Sequence, residues 1–368
     1  MELRFRPERY GRCQSFRFAG FSMTPAPDSL TRRRLLASTC HAFTSAAVTG
    51  ALVSGLTTQA KPVAAAAPLP NADDPVASEA ASDPAAADAA ATEFQLACMT
   101  LPYSRFPLDR ALEGIRAAGY RFVAWGTSHR ETSGGPSVPV IAADAPPTAA
   151  RELAKRCRGI GLEPLMMFST VYPEADDGFE VLARRIRQAA AGELRQVLTF
   201  GHTSGGNRKI WVERFKRLGP IARDHGVVLV VKQHGGSTGT GQACAEIIRE
   251  VDDPGIRVNY DAGNVMDYLD VDPIPDIQAC ADVVHSFCMK DHRNWPVDQD
   301  CGPGFGEIDH YRLLHPVAFL GRRMPLCCEN IFAPVVPRPE NPEGVDRLAR
   351  QIREYLETVI AGVQTRPG

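Results

Sequence analysis

Lys232-Gln233-His234-Gly235-Gly236 closes the apolar run HGVVLVV, and three further polar clusters close other apolar runs: YDAGN at 260–264, MKDHR at 289–293 and CEN at 328–330. The chemistry available to these groups is specific. A histidine with two carboxylates can hold a divalent cation. A lysine beside them can steady an oxyanion or move a proton. Alternate residues of a strand face the same way, so Lys232 and His234 share a face. Asp261 ends one run, Lys290 and Asp291 another, and Glu329 a third. One such group at a strand end reads most simply as part of an ion pair. Four clusters at four strand ends point to one shared site.

The elements that must position them follow from the apolar pattern. Runs at 94–100, 120–126, 162–169, 194–201, 226–233, 255–261, 282–291 and 324–330 alternate with helix-spaced segments. The runs are near-continuously apolar, as parallel strands covered on both faces should be. Segments such as the one carrying Val345, Leu348, Ile352 and Leu356 space apolar residues by three and four, as helices do. Residues 94–365 therefore read as one (β/α)8 TIM barrel, whose active face lies at the C-terminal ends of the strands.

The clusters resemble the xylose-isomerase-like TIM barrels, the sugar phosphate isomerases and epimerases. The resemblance rests on KQHGG, YDAGN, the KD pair followed by GPGFGEID at 302–309, and Glu329, and it spans the barrel. It implies an enzyme acting on a small carbohydrate. It also implies a divalent ion (Mn, Mg or Zn) held by Glu, Asp, His and Glu at the ends of strands five to eight. Asp261 and Glu329 match that set. Lys232 stands where the first Glu is expected, Cys288 where the His is expected, and Asn264 where a His often follows the Asp. Two arrangements stay open: His234, Asp261, Glu329 and Cys288 as metal ligands, or the Lys232 ammonium in the place of a cation.

Trp125 can stack on a sugar ring or pack the core. His129, His202, Asn264 and His292 lie on the correct side of the strands for substrate contact, although a loop histidine is more often solvated. His285 reads as a core residue, and Phe106 and Tyr103 as loop packing. Asp309 suits a helix cap. The expected reaction is proton abstraction next to a carbonyl, giving isomerisation, epimerisation or a related elimination. Glu329 is the preferred base, with Lys232, Lys290 and Asp291 beside it. The competing expectation is a barrel that binds sugar without turnover, its metal ligands lost.

The N-terminal part of the chain and its composition carry other information. Thr31-Arg32-Arg33-Arg34-Leu35-Leu36 precedes a stretch at 35–56 free of charged side chains. Residues 1–60 thus read as an extension with a twin-arginine signal for export to the periplasm, or as an uncleaved anchor. Residues 61–92, rich in Ala and Pro, read as a disordered linker. Basic and acidic residues number 41 and 43, which gives no electrostatic footprint for nucleic acid. Ten cysteines without a CxxC pair read mostly as small buried hydrophobes.

Overall fold

The computed structural model describes residues 90–365; the expected signal and nearly all of the linker lie outside them. Eight parallel strands close a barrel: β1 (Glu93–Met99), β2 (Phe122–Trp125), β3 (Glu163–Phe168), β4 (Gln196–Phe200), β5 (Val228–Lys232), β6 (Ile256–Tyr260), β7 (Val284–Met289) and β8 (Arg323–Cys328). Neighbours in sequence are neighbours in the sheet, and β1 pairs with both β2 and β8. The barrel of the sequence reading is therefore the observed fold.

Alternation along the strands sorts the core into two parts. One face of each strand meets the surrounding helices through residues such as Val197, Val231, Phe287 and Leu326. The other fills the barrel with Ala97, Met99, Ala124, Leu198, Val230, Cys288 and Cys327. Two residues beyond Val230, Cys288 and Cys327 come Lys232, Lys290 and Glu329. The same alternation that buries the apolar residues thus aims these charges at the barrel axis.

The helices are amphipathic and capped. Asn341 accepts a hydrogen bond from the Gly344 amide at the start of Pro342–Val363, whose buried face carries Val345, Ala349, Ile352, Leu356 and Val359. Such a cap contributes about 1 kcal/mol. Three features near the mouth were not expected. A helix, Ala262–Leu269, begins directly after β6 because the Asp261 carboxylate accepts from the Asn264 amide. Two short hairpins, Ser128–Arg130 with Ser137–Pro139 and Asp291–Arg293 with Gln299–Cys301, rise from the loops after β2 and β7. All eight cysteines among the described residues are buried and free, in keeping with their reading as small hydrophobes.

Candidate active site at the barrel mouth

The centre of the mouth is an ion cluster. Lys232 Nζ lies 2.9 and 2.8 Å from the two oxygens of Glu329 and 3.2 Å from Asp261 Oδ2. The Asp261 contact lacks hydrogen-bond alignment, so that oxygen is charge-paired rather than hydrogen-bonded. The rings of Phe168 and Phe200 flank the ammonium, with centroids 5.4 and 5.8 Å away. Lys290 Nζ is held 2.6 Å from Asp300 Oδ2.

Burial opposes every one of these charges, and the partners decide the outcome. For Lys232, burial pulls the pKa down, but Glu329, then Cys288 and Asp261, pull it up by more. Lys290 is likewise raised, with Asp300, Asp261 and Glu329 overcoming burial. Both are ammonium ions. Glu329 is held below the usual range, its burial overcome by Lys232 and Lys290. Asp261, fully buried, is the exception: burial pushes it up to about 6 against the pull of Lys290 and Lys232. Glu329 is the carboxylate that reaches the mouth, its side chain 14% exposed against none for Asp261.

A divalent cation does not fit at this centre. Ligand atoms of Asp261, Cys288 and Glu329 do lie within 4.8 Å of one another. The position between the two carboxylates, however, is taken by the Lys232 ammonium. Burial and then Glu329 push the Cys288 thiol well up. His234 lies outside that group; its Nδ1 is 2.8 Å from the Gly201 carbonyl oxygen and its ring packs between Phe200 and Tyr268.

The other expected residues divide into those at the mouth and those elsewhere. Asn264 donates to the Gln233 carbonyl oxygen at 2.6 Å, fixing the end of β5 to the helix after β6. Asp291 is buried, and its carboxylate accepts from the amides of His292, Gly304, Gly306 and Ile308. It shapes the glycine loop and turns no oxygen toward a substrate. A Cβ at Gly306 would lie 2.2 Å from Asp291 Oδ1, which is why glycine stands there. Asp309 caps the next helix through the Tyr311 and Arg312 amides. Trp125 is packed into the layer between barrel and helices beside Cys157, away from the mouth. His129 is buried with Nδ1 3.0 Å from the Phe106 carbonyl oxygen. His202 is half-exposed, stacked on Tyr172 at 3.9 Å and 3.8 Å from Glu174. His292 is buried beside Asp300 and Asp298.

Sequence reasoning missed Asp300, which joins Lys290 to His292, and Asp267 and Asp298 beside it. The D-x-D pair at 298–300 was the available signal. Trp295, 78% exposed in the same loop, was also missed.

A cavity of about 870 Å³ opens at the opposite end of the barrel, lined by Glu93, Gln95, Glu163, Arg195, His285 and Arg323 among others. Barrel chemistry sits at the C-terminal face. Several of the charges here pair across open surface, as Arg158 does with Glu163 and Arg323 with Glu93. The mouth is therefore the better site.

Residues 112–355 match the model of the family described as xylose isomerase-like TIM barrel. No curated protein matches the chain. Among solved structures, an L-ribulose 3-epimerase aligns with TM-score 0.55 and 16% identity over 73% of this chain and 95% of that one. A xylose isomerase-like TIM barrel protein from Mycobacterium smegmatis in complex with magnesium aligns with TM-score 0.56 and 16% identity, over 76% and 99%. A D-tagatose 3-epimerase-like protein gives 0.54 and 14%, over 73% and 98%.

Proposed function

Since the chain belongs to the xylose isomerase-like TIM barrel family, we propose that it is a carbohydrate-active isomerase or epimerase in which an ammonium replaces the divalent cation at the centre. The observation that carries the reading is the Lys232 ammonium, 2.8 Å from Glu329 and 3.2 Å from Asp261. The likeness to an L-ribulose 3-epimerase and to a D-tagatose 3-epimerase-like protein supports the substrate class.

Glu329 is the reachable base. It takes the proton from the carbon next to a substrate carbonyl. The C–H electron pair becomes the double bond of an enediolate, and the carbonyl oxygen becomes an oxyanion. The Lys290 ammonium, kept charged by Asp300, is the group placed to stabilise that oxyanion. Return of the proton to the former carbonyl carbon, with the adjacent hydroxyl proton passing to the oxyanion, gives an isomer; protonation of the original carbon from the opposite face by a solvent water, with Glu329 giving its proton back to solvent, gives an epimer. Lys232 keeps Glu329 ionised between turnovers.

The test is proton exchange. Chelator-treated protein is incubated in deuterium oxide with unphosphorylated ketopentoses and ketohexoses, and carbon-bound deuterium is read by NMR. Incorporation that disappears in Glu329→Gln supports the reading. No incorporation into any of these sugars would sink it.

One observation favours the second reading, a barrel that binds sugar without turnover: the Lys232 contacts with Glu329 and Asp261 engage the ammonium within the protein. Calorimetric sugar binding without deuterium incorporation would select it. We further propose export by the twin-arginine route to the periplasm, which makes an unphosphorylated sugar the expected substrate. Replacing Arg32 and Arg33 with Lys should then leave the precursor in the cytoplasm.

A further inference from the structure

We propose that Asp267, His292 and Asp298 form a divalent transition-metal site on the rim of the mouth, separate from the Lys232 centre. One ligand atom from each lies within 4.8 Å of the others. The three come from elements that the fold holds together: Asp267 from the helix Ala262–Leu269, His292 from the hairpin strand Asp291–Arg293, and Asp298 from the turn of that hairpin. The helix packs against the hairpin. The inference does not depend on the catalytic reading of Glu329.

The second observation is the state of His292. The residue is fully buried, and its Nδ1 lies 3.1 Å from Asp300 Oδ1. A carboxylate behind the imidazole fixes the ring and points the other nitrogen outward, as in carboxylate–histidine–metal sets. That other nitrogen, Nε2, is 3.2 Å from Asp298 Oδ1 yet makes no hydrogen bond. A bound ion would take its place between these two atoms, which without it face each other as an ion pair. Asp267 closes the set, a carboxylate oxygen of it lying within 4.8 Å of the other two ligand atoms.

Two carboxylates and one imidazole suit Zn or Mn and leave positions for water or substrate oxygens. A resident ion would also be felt at Lys290. Asp300 contacts both His292 Nδ1 at 3.1 Å and Lys290 Nζ at 2.6 Å, so one carboxylate separates the ion's ligand from the ammonium.

The experiment is calorimetric titration of the chelator-treated full chain with zinc chloride, repeated with cobalt(II) to follow its visible absorption. One ion per chain is expected. Asp298→Asn and His292→Gln should each weaken binding at least about tenfold, and Asp300→Asn by about 10–100-fold, the usual loss for a group behind a ligand. The cobalt bands should shift in His292→Gln, while Cys288→Ser should bind as the parent does. Should His292→Gln fail to fold, Asp298→Asn carries the test, because Asp298 lies at the surface. Sub-stoichiometric binding, binding indifferent to Asp298→Asn, or binding lost in Cys288→Ser would overturn the proposal.

Discussion

The centre and the rim of the mouth use the same kinds of residue to opposite effect. At the centre a buried lysine is surrounded by Asp261 and Glu329, and its three short contacts engage it within the protein. At the rim three aspartates face one lysine and one histidine, and the outermost, Asp298, is 43% exposed. Burial forces the centre to be neutralised by the chain itself, because an unpaired charge there costs several kcal/mol. The rim keeps contact with water and can hold carboxylates close together for an added cation. What a cluster of acids can bind is set as much by which cations the chain already supplies as by the acids.

The largest expected effect comes from breaking the centre. Lys232→Met leaves Asp261 and Glu329 facing each other without a counter-charge. Removing one partner of a buried pair costs about 3–5 kcal/mol. Thermal melts should show this loss at neutral pH, softened in acid as Asp261 takes up a proton. Sugar-dependent deuterium incorporation should vanish. A variant as stable as the parent would mean that the centre is more hydrated than its burial indicates.

Asp291→Ala tests the scaffold that joins the regions. It frees the four amides that the carboxylate now accepts from. An unsatisfied buried donor costs about 1–3 kcal/mol, and water entering the glycine loop will repair part of the loss. A net loss of about 3 kcal/mol by denaturant unfolding is expected. A loss under about 1 kcal/mol would show that the loop is held by its turns rather than by Asp291.

The comparison also explains what was legible beforehand. Near-continuous apolar runs alternating with helix-spaced segments located all eight strands. The ends of those runs marked Lys232, Lys290 and Glu329, and the strands' register in the structure carries all three to the inner face. Asp261 was likewise marked by its place at the end of a run. Trp125 was marked so too: it ends β2 but faces the helices, so its place at a strand end said nothing about the mouth. The rim was not legible. Asp267 lies on a helix that the sequence pattern did not single out, and Asp298 and Asp300 lie in a hairpin inside a loop. Such residues meet through turns of the chain, and no period announces them. Asp291, expected to react, belongs to the scaffold because loop amides turn toward it, which spacing alone cannot reveal.

Lys232→Glu sharpens the comparison by making the centre resemble the rim. It places a third carboxylate beside Asp261 and Glu329 and removes the competing ammonium. Manganese should then bind at the centre, at least about tenfold tighter than any central binding by the parent, or about 1.4 kcal/mol. Titration in an Asp298→Asn background isolates the new site. If the double variant binds manganese no better than Asp298→Asn alone, Lys232 does not occupy the position of the ion.

His234 contributes a pH dependence to the centre. Burial, then Lys232, push its pKa down from 6.5 to about 4. The neutral ring is the folded form. Its contribution is therefore full above pH 6.5 and is lost as pH falls toward 4, because the unfolded chain takes up the proton first. The linkage amounts to roughly 3 kcal/mol at most. In His234→Asn the decline of stability between pH 6.5 and 4 should be shallower than in the parent. Parallel curves would show that His234 is solvated.

The smallest effect belongs to the rim. Asp298→Asn removes one partly exposed carboxylate from beside His292, and exposed ion pairs contribute about 0–1 kcal/mol. With a shift of about 2–4 °C per kcal/mol for a domain somewhat smaller than this barrel, the melting temperature of the metal-free protein should fall by less than about 4 °C. The same substitution should remove most of the zinc affinity. That pairing of a near-silent stability change with a large binding change distinguishes a ligand site from an ion cluster that holds the hairpin in place. The melt has to be run on chelator-treated protein, because a bound ion stabilises the parent in proportion to its concentration and would exaggerate the difference. A drop as large as that of Lys232→Met would mean that the rim acids are structural, and the two regions would then differ in exposure but not in kind.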